Sequence, residues 1–125
     1  MRLVQVAVRA TDLDRAEEFY GRLLGSTAAA RFDPPGLLFF DLEGTRLLLD
    51  ARAPASMVYL EVPDVRESVE RFRREAEVAS EPHVIFRHED DTLGPAGTEE
   101  WQAFIRDPDG NTLGLVSFAP SDGDI

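Results

Sequence analysis

Apolar and polar positions alternate along residues 3–9, with Val4, Val6 and Val8 on one face and Leu3, Gln5, Ala7 and Arg9 on the other, the period of a strand. The period then lengthens. Leu13, Ala16, Phe19, Tyr20 and Leu23 recur at helical spacing, with Thr11 or Asp12 as N-cap and Gly25 as stop. The three valines are expected to face that helix. Residues 27–32 read as a weak strand, Pro34-Pro35-Gly36 as a rigid turn, and residues 37–50 as a hairpin folded at Asp41-Leu42-Glu43-Gly44.

The same plan then recurs. Met57-Val58-Tyr59-Leu60-Glu61 alternates in phase with Gln5-Val6-Ala7-Val8-Arg9 at an offset of 52, and Asp64 stands where Asp12 stands. Val65, Val69, Phe72 and Ala76 form a second helical stripe, residues 82–88 a strand, and residues 89–100 a polar, glycine-containing loop. The most legible unit closes the pattern. Asp107-Pro108-Asp109-Gly110 has turn chemistry, between apolar, aromatic and β-branched runs at 101–106 and 111–117. Gly110 follows Gly44 by 66 positions. The chain is thus predicted to be one α+β domain of two β-α-β-β-β modules, 1–51 and 57–118, joined by a linker at 52–56 and followed by a polar, frayed tail at 119–125. Its 125 residues suffice for a core.

Composition narrows the chemistry. A formal charge of −11 with a pI near 4.5 argues against nucleic-acid and anionic-membrane surfaces. All 13 basic residues are Arg, which excludes Schiff-base chemistry and a Lys base. The chain has no Cys, which removes thiol catalysis, disulfides and thiolate metal sites. The N-terminus alternates and has no continuous apolar segment of the signal-peptide kind, so a cytoplasmic location is the expectation.

In its first module, Val6-Ala7-Val8 leading to Thr11-Asp12-Leu13-Asp14-Arg15-Ala16, with Phe19-Tyr20 and Leu23-Leu24-Gly25, resembles the vicinal oxygen chelate superfamily. Phe104-Ile105-Arg106-Asp107-Pro108-Asp109-Gly110-Asn111-Thr112-Leu113 carries the same likeness at the other end. That superfamily groups glyoxalase I, extradiol dioxygenases, fosfomycin and bleomycin resistance proteins and methylmalonyl-CoA epimerase. The resemblance implies curled mixed sheets around a shared cavity, helices outside, and a homodimer. It further implies a divalent metal held by one side chain on the first and one on the last strand of each module. Those positions here are Gln5, Leu48, Met57 and Gly114. Only Gln5 offers a ligand atom, and a weak one, so no metal and no other cofactor is expected.

Two histidines remain as candidate bases. His83 and His88 lie five apart, so in one regular strand they would face opposite ways and could not chelate one ion. Sheet parity, with Arg106 opposite Asn111 and the Gly114 position inward by resemblance, places Trp101, Ala103, Ile105, Thr112 and Val116 in the cavity. Phe104, Leu113 and Leu115 then go under a helix. The same construction turns Gln5, Ala7, Leu37, Phe39, Arg46, Leu48, Met57 and Tyr59 inward. The candidate ligand-binding set is Gln5, Phe39, Arg46, Leu48, Met57, Tyr59, Trp101, Ile105 and Gly114, an apolar and aromatic lining with sparse polar groups. It points to a metal-independent protein of the bleomycin-resistance-like type that binds a small organic ligand. The alternatives are a glyoxalase-like or methylmalonyl-CoA-epimerase-like lyase or isomerase, with a displaced divalent metal or a His base, and a non-catalytic module with a self-filled interior.

Overall fold

The computed structural model describes residues 1–121 and holds two helices and eight strands in two open, mixed, four-stranded sheets. This is the α+β fold of two β-α-β-β-β modules expected from the repeat. By contacts the chain divides into two compact units, Met1–Ser56 with Asp107–Asn111, and Met57–Arg106 with Thr112 onward. Among the described residues no helix is long and apolar enough to cross a membrane.

The first unit runs β1 (Gln5–Arg9), α1 (Leu13–Leu24), β2 (Ala30–Phe32), β3 (Leu37–Leu42) and β4 (Thr45–Asp50), in sheet order β1-β4-β3-β2. β1 is parallel to β4 and the other pairs are antiparallel. Asp12 starts α1 by accepting a hydrogen bond from Arg15 N at 3.2 Å, and Gly25 stops it at φ 65°. Such an N-cap contributes about 1 kcal/mol. α1 buries Leu13, Ala16, Phe19 and Tyr20, and the Tyr20 ring lies 6.4 Å from that of Phe40 on β3. On the sheet, Val8, Leu38, Phe40, Leu47 and Leu49 are fully buried, each contributing about 1.5–3 kcal/mol. Val8 therefore faces inward as expected. Val4 lies just before β1 and is 42% exposed.

The turn Asp107–Asn111 belongs to this unit through a dense polar network. The Tyr20 hydroxyl donates to Asp107 Oδ2 at 2.5 Å, and Asp107 Oδ1 accepts from the N–H groups of Asp109 and Asn111. The Asn111 amide donates to the Arg9 carbonyl at 2.7 Å and accepts from Ser56 N at 2.8 Å. Asp109 accepts from both the backbone N–H and the hydroxyl of Thr11. Burial, then the charge of Asp107, push the Tyr20 phenol far above its usual range. Asn111 is 1% exposed and its side chain serves three partners.

That network corrects the expected hairpin register. Asn111 stays in the turn, the loop has five residues instead of four, and the ladder begins at Arg106 opposite Thr112. Phe104 then opposes Gly114, Gln102 opposes Val116, and Trp101, Ala103 and Ile105 move to the other face with Leu113 and Leu115. A one-residue change of register reverses every side chain on a strand.

The second unit runs β5 (Met57–Glu61), α2 (Val65–Phe72), β6 (Glu77–His88), β7 (Thr98–Arg106) and β8 (Thr112–Pro120), in sheet order β5-β8-β7-β6. Asp64 caps α2 through Arg66 N, and the buried Ser117 hydroxyl of β8 accepts from Val65 N at 3.1 Å. Val65, Val69 and Phe72 are buried, with Ala103, Ile105, Leu113 and Leu115 in the sheet. Three expected boundaries shift. Ala76 falls outside α2, β6 starts five residues before Pro82, and residues 98–100, read as loop, pair in β7. The polar run 77–81 is an edge strand, where one exposed side dilutes the apolar signal. β8 continues to Pro120, beyond the start of the expected tail. The rest of that tail, 122–125, lies outside the described residues.

Candidate functional site

The register makes the repeat quantitative. Gln5 pairs with Arg46 and Ala7 with Leu48 in the first unit, and Met57 pairs with Thr112 and Tyr59 with Gly114 at the matching places in the second. One slot thus holds small beside large, then large beside nothing. A Cβ on Gly114 would lie 2.6 Å from Tyr59 Cδ2 and 3.1 Å from Phe104 Cε1. The Tyr59 ring therefore covers Gly114, edge to face with Phe104 at 5.8 Å. At the place where the resemblance calls for a carboxylate, this chain seats an aromatic ring.

The other positions of that set are as unsuited to a metal. Gln5 Oε1 already accepts from Arg46 Nε at 2.9 Å, Leu48 is a buried hydrocarbon, and Met57 offers only a thioether. Among the described residues no three His, Cys, Asp or Glu side chains are grouped to hold an ion. Gln, Leu, Met and Gly do not form a donor set for a hard or borderline divalent cation.

In the first unit, Gln5, Ala7, Leu37, Phe39, Asp41, Arg46 and Leu48 share the sheet face turned away from α1's apolar partners, in agreement with the predicted parity. An open pocket of about 360 Å³ lies on this unit, lined by Ala29, Ala30, Phe32, Phe39, Phe40, Asp41 and Arg46. Phe32 and Phe39 meet edge to face at 6.1 Å, and Arg46 lies over the Phe39 ring with Cζ 5.9 Å from its centroid. Phe32 is 52% exposed, so one wall is a free aromatic surface. Phe32 was missing from the predicted lining because β2 is too short to give a pattern, yet it opposes Leu37.

The second unit gathers Met57, Tyr59, Phe104, Gln102, Glu100, Thr112, Gly114 and Val116 on one face by register. Trp101 and Ile105, expected in the lining, are on the opposite face: Ile105 is fully buried and Arg66 of α2 stacks over Trp101 at 4.6 Å. Tyr59 and Met57 are more than half exposed.

His83 and His88 do not face opposite ways by register. They pair with Gln102 and Thr98, because an irregularity between Val84 and Phe86 inserts a residue and restores parity. Their environments differ. His83 is exposed and its Nδ1 contacts the Glu81 carbonyl at 2.9 Å. His88 is 2% exposed, its Nε2 sits 2.8 Å from Glu100 Oε1, and Gln102 Nε2 donates to Glu100 Oε2 at 2.7 Å. The His88 ring packs between Phe86 and Phe118. Gly94 of the 89–97 loop passes so close that a Cβ there would lie 2.9 Å from Nε2. In that loop Asp90 is held below the usual carboxylate range, first by the Thr92 backbone N–H. Glu100 and Gln102 were invisible as partners because both lie outside any motif. Once 98–106 is read as one strand, alternation would have put them beside Phe104.

The sequence profile of the Glyoxalase/Bleomycin resistance protein/Dioxygenase superfamily matches residues 2–115. Among solved structures, a lactoylglutathione lyase from Agrobacterium tumefaciens is 25% identical, covering 93% of this chain and 92% of its own, with a TM-score of 0.67. A glyoxalase/bleomycin resistance protein/dioxygenase from Nocardioides is 22% identical, with coverages of 98% and 85% and a TM-score of 0.66. TioX from Micromonospora sp. ML1 is 19% identical, with coverages of 95% and 100% and a TM-score of 0.67. No curated protein matches the chain in sequence.

Proposed function

The chain belongs to the glyoxalase/bleomycin resistance protein/dioxygenase superfamily, and from that premise we propose that it is a metal-independent small-molecule-binding protein of the bleomycin-resistance-like type. The observation that carries this reading is the pocket on the first unit, where Phe32 and Phe39 form aromatic walls and Arg46 and Asp41 are the charged groups. About 360 Å³ lies within the usual range for small-ligand sites, in which apolar walls supply affinity and a few polar groups fix orientation. Sequestration of a ligand requires no general acid or base. Tyr59 over Gly114 supports the metal-independent part of this reading, since the position to which the resemblance assigns a metal ligand carries no donor here.

Thermal unfolding of the metal-free protein against planar aromatic compounds tests the proposal. A ligand that binds only the native state at a hundredfold excess over Kd adds about 2.7 kcal/mol, a rise of several degrees in midpoint. No shift with any aromatic compound at millimolar concentration would overturn it. A lyase or isomerase is the second reading, favoured by the pairing of His88 with Glu100, the relation of a base to the group that orients it. It predicts turnover that His88→Gln abolishes. Its obstacle is the near-complete burial of His88 beneath Gly94.

A further inference from the structure

We propose that the ligand of the first unit is an aromatic carboxylate, its ring against Phe32 and Phe39 and its carboxylate on the terminal nitrogens of Arg46. This rests on the small-molecule-binding reading above and adds the ligand's chemical class. Arg46 is the reason. Its Nε donates to Gln5 Oε1 at 2.9 Å, which fixes the plane of the guanidinium from the β1 side. Its terminal nitrogens have no ion-pair or hydrogen-bond partner among the described residues.

Carboxylates are in excess in this chain, with 24 acidic and 13 basic residues. Arg15, Arg31, Arg52, Arg73 and Arg87 each have a carboxylate within 4.0 Å. Arg46 has Asp41 directly across the ladder and does not pair with it. Asp41 instead accepts from Gly44 N at 3.0 Å, where it holds the turn of residues 43 and 44, at φ 50° and 99°. Gln5 draws the guanidinium toward β1 and the turn engages the carboxylate on β3, so the two charges are held for different tasks.

A guanidinium with one edge tied and two terminal NH₂ groups free is a fork for a planar bidentate acceptor, and a carboxylate matches it best. The Cζ of Arg46 lies over the Phe39 ring, 5.9 Å from its centroid, so the fork and the aromatic wall line the same pocket. A ring joined directly to a carboxylate can reach both. The net charge of −11 sets a general field against anions. Selectivity for an aryl acid must therefore come from this short-range contact, and a cationic or neutral ring gains nothing from the fork.

Calorimetric titration of the full chain with 2-naphthoate, 2-naphthalenemethanol and 2-naphthylmethylammonium separates the possibilities. The expected result is 2-naphthoate binding at least tenfold more tightly than the alcohol, and the ammonium binding most weakly. Arg46→Met is expected to remove the tenfold preference of acid over alcohol, and Arg46→Lys to retain part of it. The comparison of the three ligands on the unaltered chain stands even where a variant folds poorly. If the alcohol or the ammonium binds as tightly as the acid, the assignment of a carboxylate is overturned while small-molecule binding survives. If no naphthalene compound binds, the aromatic-carboxylate assignment is overturned, and the thermal screen against other aromatic compounds decides small-molecule binding separately.

Discussion

Replacing Gly114 by alanine should destabilise the second unit through one identified clash, and removing Tyr59 should abolish the effect. The added Cβ would stand 2.6 Å and 2.9 Å from two ring carbons of Tyr59 and 3.1 Å from Phe104. The nearest atoms are mid-ring, so the whole side chain must rotate and its edge-to-face contact with Phe104 is lost. Such a contact is worth about 0.5–1.5 kcal/mol, and overpacking costs about 1–3 kcal/mol. Tyr59 is 55% exposed and can swing toward solvent, which puts the clash at the low end. Alanine also restricts the unfolded chain and returns about 0.4–1 kcal/mol. The net loss for Gly114→Ala is about 1–2 kcal/mol, a fall of roughly 0.5–1 M in urea midpoint at a typical m-value.

In a Tyr59→Ala background the ring is gone and Phe104 has only a small adjustment to make. Gly114→Ala should then stabilise by about 0.4–1 kcal/mol, giving a coupling of roughly 1.5–3 kcal/mol between the two sites. Urea denaturation of the four proteins of this cycle, followed by circular dichroism, measures it. Additivity within about 0.5 kcal/mol would refute the claim that Tyr59 occupies the space a side chain at 114 would need.

Tyr20→Phe should cost about 1.5–3 kcal/mol, because it removes a buried donor to the Asp107 carboxylate. It should also change the alkaline limb of stability. The folded-state phenol is raised, so its contribution is complete below the unfolded value near pH 10 and is lost as pH rises beyond it. Between pH 10 and 11 the wild type should therefore lose about 1 kcal/mol more than Tyr20→Phe, and equal slopes would refute this. Gly94→Ala is expected to expose the 89–97 loop to limited proteolysis by clashing with the His88 and Phe118 rings, and an unchanged cleavage rate would count against the packing described. Added Zn²⁺, Ni²⁺, Mn²⁺ or Co²⁺ should leave the unfolding midpoint unmoved, whereas a rise of several degrees would restore a metal-dependent enzyme reading.

The order of elements was readable because each module announces its own caps. Asp12 and Asp64 start helices and Gly25 and Gly44 carry positive φ, all by local chemistry. The first hairpin was readable in its faces and not in its register: the turn is tighter than Asp41–Gly44, the ladder closes at Leu42 opposite Thr45, and a shift of two residues leaves every side chain on its expected face. The second was misread by one residue because Asn111 is held by Arg9, Ser56 and Asp107, and those long-range partners leave no trace in the local pattern. The same limit hid the site. Parity and the family resemblance turned Phe39, Arg46, Tyr59 and Gly114 inward as cavity lining, but they misplaced Trp101, Ile105 and Phe104 and passed over Phe32, Glu100 and Gln102. The irregular pairing of β6 undid the argument that separated His83 from His88.

The central claim is that the aromatic pocket of the first unit takes a small molecule. Backbone amide shift mapping by NMR, with saturating 2-naphthoate and the metal-free chain, tests it most directly. The largest perturbations are expected at Ala29, Ala30, Phe39, Asp41 and Arg46, around the rings of Phe32 and Phe39. Saturation without perturbation there, or with the shifts confined to α2 and the helix-covered strands, would contradict the account.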